Sequence, residues 1–321
     1  MSMSSDAVVE RRSLRRRVTF WRIVAAVLAI IAIVIGASRL TGGLDGEKVA
    51  HIARVRVSGL ILGDSDFLRM LDRLAKSNAK AVLLDIDSPG GGAAASEEIY
   101  EHLRKVGATR PIVAVDGSLA ASGGYMVSLA ADHIFALNSS AVGSIGVIFQ
   151  NPNVTQLLGT LGVKMEVIKS SPLKASPNPF EVTPPEATAA MNALVVDTFA
   201  WFKNLVRERR HLDPDALAKV ADGRVFSGSQ AVSLKLIDGI GGEEEALDWL
   251  KRDKGIDTTL PIRNWTAERG GWLRRLTGDA MMGALSELGL ANASKLLSTA
   301  SGPMQSQAAS GLLALWQPMG E

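Results

Sequence analysis

The chain has 321 residues, 47% hydrophobic and 21% charged, a balance that fits a folded protein and excludes a disordered one. Its net charge of +2 rests on a cluster at Arg11, Arg12, Arg15, Arg16, Arg17 and Arg22, so the basic balance gives no sign of nucleic-acid binding. There is no cysteine, which excludes disulfides, thiolate catalysis and cysteine–zinc sites, and the four histidines show no metal-ligand spacing, so no metal or cofactor is expected.

Ile23 to Ala37 is an unbroken uncharged run directly after the arginines. A spanning helix needs about 20 apolar residues, a length reached here only if Val18 to Trp21 join the run and Arg22 snorkels to the headgroups. A cleaved secretory signal has the same layout. The segment around Ala37, however, lacks a small residue three positions before the cut. A retained anchor at 23–41, behind a basic cytoplasmic stretch at 1–22, is the preferred reading. The arginines then hold the N-terminus in the cytoplasm and send the remainder across the membrane once.

Short apolar runs alternate with helical patterns from His51 onward. Ile52 to Val57 reads as a strand and Ser65 to Ser77 as a helix. Ala81 to Ile86 is a solid apolar run suited to a strand buried on both faces. A glycine turn at Ser88 to Gly92 leads to a helix with Ile99, Leu103 and Val106 on one face. Pro111 to Val115 is the next strand, followed by a turn at Asp116-Gly117 and a short helix from about Gly124. Ile134 to Leu137 and Val163 to Ile168 read as further strands. Thr183-Pro184-Pro185-Glu186 has the pattern of a capping box, opening a helix whose buried face runs from Met191 to Val206. Asp213-Pro214 starts another helix. The alternation predicts an α/β domain with mainly parallel strands. From Trp265 the composition shifts toward Ala, Ser, Gly, Leu and Met, as in a loosely ordered extension or a membrane-surface segment.

Three segments could carry chemistry. The glycines after Ser88 expose backbone N–H groups that could face a developing oxyanion, or simply make a tight turn. Ser122, between two alanines and two glycines, could be a nucleophile approached closely by a substrate backbone, with the Gly123 N–H aimed at the attacked oxygen. It could equally be a helix N-cap. A nucleophilic serine needs a base. His51, His102, His133 and His211 sit in helix interiors or at element edges, and a neutral Lys174 in the loop from Ser170 to Pro177 is the other candidate. A lysine serves as a base near pH 7 only in a dry, apolar setting.

Together the segments DSPGGG at 87–92, AASGGY at 120–125, VGSIGV at 142–147, SSPLKASP at 170–177 and ADGRVFSG at 221–228 resemble the short, single-repeat bacterial signal peptide peptidases of the SppA (protease IV) family. Their order matches, and the separation of Ser122 from Lys174 looks like the family's serine–lysine separation. The resemblance covers about Val55 to Leu250. It implies Ser122 as nucleophile, Lys174 as general base, Ser144 orienting the lysine, and the N–H groups of Gly91 and Gly123 as oxyanion hole. It also implies a crotonase/Clp-protease-like superhelix of strand–helix units at 50–255, followed by an extension at 256–321. Expected substrates are signal peptides and other apolar extracytoplasmic peptides, cleaved by a ring- or dome-shaped homo-oligomer. The expected location is the bacterial inner membrane, with the catalytic domain periplasmic. Two rivals keep the fold: a crotonase-like acyl-thioester enzyme, which export argues against, and a catalytically silent membrane scaffold, which the intact Ser122, Ser144 and Lys174 argue against.

Overall fold

The computed structural model describes residues 21–22, 49–267 and 313–315. Two compact units are distinguished, Met1–Ala50 and His51–Glu321. The anchor expected at 23–41 lies outside the described residues, as does most of the extension after 267. Among the described residues no helix is long and apolar enough to cross a membrane.

The second unit is a mixed α/β fold. Its sheet is ordered β7-β6-β4-β2-β1-β9, with β5 also on β4 and β8 on β5. These strands are β1 (His51–Ser58), β2 (Ala79–Ser88), β4 (Ile112–Ala121), β5 (His133–Ala136), β6 (Ala141–Gly143), β7 (Val225–Ser227), β8 (Gly239–Ile240) and β9 (Ile262–Trp265). Every pairing is parallel except β6 with β7. The sheet therefore continues past residue 255, since β9 lies beside β1.

β2 shows why its sequence is a continuous apolar run. Val82, Leu84 and Ile86 face one core, where α1 (Ser65–Lys76), α2 (Ala93–Gly107) and α5 (Pro185–Arg210) pack through Leu71, Leu103 and Phe202. Ala81 and Leu83 face the other, against Trp249 and Leu250 of α8 (Glu243–Lys254). With both faces covered, no position between Ala81 and Leu84 is left for a polar side chain.

β4 places the candidate nucleophile. Its first half pairs with β5 and its second half with β6, so one edge forks between two partners. The turn expected at Asp116-Gly117 is not formed. The chain instead continues as strand to Ala121, with a register shift against β2 between Ile86 and Ser88. Long-range pairing overrides the local turn signal, and Ser122 lands at the carboxyl end of the sheet, where open α/β sheets carry their sites.

Three more expectations are corrected. Gly90–Gly92 is not a turn but a short strand, β3, tied to Ile61. Residues 163–168 form no strand: Val163, Met165, Val167 and Ile168 are exposed and find no pairing partner among the described residues. Helix α5 begins at Pro185 with Pro184 as N-cap and no side-chain cap, so the Thr183 capping box is not made. Apart from Ala187 in the first turn, its buried side chains lie in the second half, Phe202, Leu205 and Val206, with Arg209 donating to the Leu129 and Ala131 carbonyls. Leu194 and Val196 in the first half are exposed. The remaining helices are α3 (Gly123–Ser128), α4 (Thr155–Thr160), α6 (Pro214–Val220) and α7 (Gly228–Ser233). Asp213 caps α6 as expected, accepting from the Ala216 N–H at 2.8 Å.

Candidate active site

Ser122 stands between β4 and α3 with φ 54° and ψ −115°, a region non-glycine residues rarely occupy. Strain of this kind costs of order 1–3 kcal/mol and persists only where neighbours enforce it. Here the enforcing contacts are backbone. The Ser122 N–H donates to the Gly143 carbonyl at 2.7 Å, and the Ser122 carbonyl accepts from the Met126 N–H at 2.9 Å. Its hydroxyl makes no capping bond to α3, which removes the N-cap reading. The Oγ lies 3.5 Å from the Gly146 carbonyl oxygen, at the long limit of a hydrogen bond. A buried hydroxyl held this loosely is free to be deprotonated by a suitably placed base.

Small neighbours make this geometry possible. A Cβ on Gly124 would sit 2.6 Å from the Ser88 carbonyl oxygen, which is backbone and cannot swing away. A Cβ on Gly91 would overlap the Ile61 carbonyl. Ser88 links the two segments: its hydroxyl donates to the Gly59 carbonyl at 2.6 Å and accepts from the Gly90 N–H at 3.1 Å. The DSPGGG motif is thus a strand fixed along Ile61, beside the end of β2. As the first residue of α3, Gly123 has no acceptor for its N–H within the helix.

Ser144 is brought to the same sheet end. Ala121 is the register partner of Gly143, so Ser122 and Ser144 are the residues following a paired position on β4 and β6. Ser144 is buried, has φ 52°, and its N–H donates to the Arg224 carbonyl at 2.9 Å. That bond gives the ADGRVFSG motif a role the sequence did not reveal. Its start bends back, with Asp222 paired to Arg224, so that β7 runs antiparallel to β6 and fixes the left-handed Ser144. The carbonyls of Gly143, Gly146 and Arg224 escaped sequence reasoning because any residue type supplies a carbonyl. The glycines in VGSIGV were the available hint.

Lys174, unlike the two buried serines, is exposed. It lies in an exposed turn, its N–H donating to the Ser171 carbonyl at 3.1 Å. Among the described residues no hydrogen bond joins its ammonium to Ser122 or Ser144. Among the described residues nothing encloses it in the dry pocket expected. The loop itself is braced: Lys169 pairs with Glu181, Asn178 donates to the Ala175 carbonyl at 2.8 Å, and the Val154 N–H donates to the Pro179 carbonyl at 2.9 Å. Exposed apolar side chains surround it in sequence, including Leu157, Leu161, Ile168, Leu173, Phe180 and Val182.

The histidines are placed elsewhere, His102 beside Asp72 with its Nδ1 2.9 Å from the carboxylate. His133 stacks on Trp249 and packs at a tilt against Phe135, and burial lowers its pKa. His51 accepts from the Trp265 indole at 3.0 Å, and His211 is the left-handed C-cap of α5. None is hydrogen-bonded to Ser122 among the described residues. No cluster there of three or more histidine, aspartate or glutamate side chains could hold a metal ion.

A serine at a strand end flanked by glycine segments has the setting that a nucleophile beside backbone donors would need. Residues 104–257 match the model of peptidase family S49. The protein slr0021 of Synechocystis sp., assigned as a protease, is 34% identical over 248 residues, covering 76% of this chain and 90% of its own. The assigned signal peptide peptidase SppA of Enterococcus faecium is 33% identical over 279 residues, covering 78% and 81%. Protease 4 of Salmonella typhi is 32% identical over 205 residues, 64% of this chain and 32% of its own. A solved structure, a mutant of the 1510-N membrane-bound stomatin-specific protease, aligns over 68% of this chain and 98% of its own at 16% identity, with a TM-score of 0.41. The chain belongs to peptidase family S49, in its SppA branch, and is a serine protease.

Proposed function

We propose that the protein is a membrane-anchored endopeptidase that cleaves signal peptides and other apolar extracytoplasmic peptides with a Ser122–Lys174 dyad. The observation that carries the reading is the backbone of Ser122, held left-handed at the end of β4 with its hydroxyl released from capping. Neutral Lys174 takes the proton of Ser122, which attacks the peptide carbonyl. The N–H groups of Gly91 and Gly123 hold the oxyanion, Ser144 orients the amine, and Lys174 protonates the leaving group. Water then hydrolyses the acyl-enzyme with the same lysine as base.

The exposure of Lys174 bears on assembly. A lysine serves as a base only in a dry site, so the role requires this surface to be covered. The exposed apolar residues between Leu157 and Val182 are suited to a contact with further copies of the chain. We accordingly read the active form as a ring- or dome-shaped homo-oligomer of crotonase/Clp-like strand–helix units. Each unit is held by the 23–41 anchor at the inner membrane, with the catalytic domain periplasmic.

The test is cleavage of an apolar signal-peptide substrate by the full chain in detergent, beside Ser122→Ala and Lys174→Ala of matched oligomeric state. Near-complete loss in both variants is expected. Retained activity in Lys174→Ala removes the dyad, and an inert but fully assembled wild type favours the silent scaffold.

A further inference from the structure

Asp116 sits where β4 divides between its neighbours. It is the last residue of β4 in register with β5, opposite Ala136, and β6 takes over from Leu119, opposite Ala141. The register against β2 breaks just after it, between Ile86, its partner there, and Ser88. A buried carboxyl is costly in such a place, and its Oδ2 has no partner among the described residues. Its Oδ1 accepts from the Ser128 hydroxyl at 2.8 Å, and Ser128 is the last residue of α3, the helix that opens at Ser122. The main chain at the same point holds a second arm. The Ser140 hydroxyl lies 2.5 Å from the Gly117 carbonyl oxygen and 3.2 Å from that of Asp116. Ser140 directly precedes β6, which ends at Gly143, the neighbour of Ser144.

From this convergence we infer that Asp116 is a positioning residue of the peptidase site: its carboxyl fixes α3 and with it Ser122, and its backbone, through Ser140, fixes the arm that carries Ser144. The inference rests on the reading above that Ser122 is the nucleophile and Ser144 orients its base. α3 has six residues, about 9 Å of helix, too short to hold a direction alone. A displacement at Ser128 is therefore passed on to Ser122. The left-handed backbone of Ser122 is held from outside by the Gly143 carbonyl and from within α3 by the Met126 N–H. The second restraint is only as firm as the seating of the helix. Arg104 donates to the Ala130 carbonyl at 3.0 Å, and Arg209 to those of Leu129 and Ala131, which ties the far end of α3 to α2 and α5. The Asp116–Ser128 bond ties it instead to the strand that delivers Ser122, closing the chain from 116 to 128 on itself. Neither side chain has exposed surface, so neither meets substrate, and the effect belongs to kcat. A misplacement of about 1 Å at a reacting group costs up to about a hundred-fold in rate.

The test measures kcat and KM of the full chain on an apolar signal-peptide substrate at pH 8, with a denaturant midpoint for every variant. Ser128→Ala and Asp116→Ala are expected to lower kcat per folded chain about ten-fold or more, with KM unchanged. The double variant should be no slower than the slower single one, since both remove the same bond. Asp116→Asn keeps an oxygen for the Ser128 hydroxyl and should restore kcat to within about three-fold of wild type, a rescue that lost stability alone does not give. Should Asp116→Ala not fold, Asp116→Asn is compared with Asp116→Asn, Ser128→Ala, a pair in which no buried charge is stranded. Wild-type kcat in Ser128→Ala, a change confined to KM, or a loss in Asp116→Asn equal to that in Asp116→Ala overturns the inference. If Ser122→Ala is inert in the same assay, the nucleophile stands and the inference alone falls. Cleavage by Ser122→Ala at the wild-type rate, or an inert wild type, removes the nucleophile and the inference with it.

Discussion

Replacing Asp116 by asparagine should reverse sign with pH. Asp116 lies in β4, six residues before Ser122, with no exposed surface. Its Oδ1 accepts from the Ser128 hydroxyl at 2.8 Å, while Oδ2 has no partner among the described residues. Burial pushes this carboxyl up to about 7 from an ordinary 3.8, against the smaller opposing effects of the Ser128 hydrogen bond and the Arg210 charge. The native state thus holds a proton that the unfolded chain releases between these two values. The associated stability is full below pH 4 and is lost as the pH rises through about 7. Its upper limit is about 4 kcal/mol. Asparagine keeps the oxygen that accepts from Ser128 and cannot ionise, but puts an N–H₂ where Oδ2 finds no partner, at about 1–3 kcal/mol. The variant should be less stable than wild type at pH 4.5 and equal or more stable at pH 8. The difference between the two proteins should therefore move by about 3 kcal/mol across that range. Guanidinium unfolding followed by tryptophan fluorescence at pH 4.5, 6 and 8 measures this, and subtracting the two proteins cancels groups such as His133. A difference constant with pH would refute a neutral, buried Asp116.

Tyr125→Phe removes a buried hydroxyl that donates to the Leu236 carbonyl at 2.7 Å, and should cost about 1–3 kcal/mol in denaturant unfolding. An unchanged midpoint would mean the carbonyl finds another donor. Gly124→Ala forces a Cβ against the Ser88 carbonyl and should cost about 1–3 kcal/mol together with most peptidase activity. A stable, active alanine variant would show that β2 can yield there. Ser144→Ala should lower kcat about ten-fold or more with KM little changed, as expected if the hydroxyl acts through Lys174. A change confined to KM would assign Ser144 to substrate binding.

The parts of the fold legible in the sequence were those where local pattern and long-range packing agree. β2 read correctly because burial on both faces leaves only apolar residues between Ala81 and Leu84, and α6 because Asp213-Pro214 carries its own start signal. Where the two conflict, the pattern misled. Asp116-Gly117 has turn chemistry, yet pairing with β2 and with β5 and then β6 keeps β4 extended through it. Gly90–Gly92 has no strand propensity and becomes a strand through Ile61 and residues 313–315, both remote in sequence. The alternation at 163–168 was real, but no neighbouring strand is supplied among the described residues. The small residues flanking Ser122 marked it as a candidate and left the N-cap reading open. Its left-handed backbone was not legible, because that conformation is imposed by Gly143 across the sheet. The setting of Lys174 was beyond sequence reasoning, since whether a loop lysine is dry depends on what covers it.

Ser122 is proposed as the nucleophile. The most direct test is mass-spectrometric mapping of the full chain after reaction with a serine-directed acylating or phosphonylating reagent. One dominant adduct on Ser122, greatly reduced in Lys174→Ala, is expected. An adduct mapped to another serine, or none on a fully assembled protein that cleaves peptide, would contradict that role.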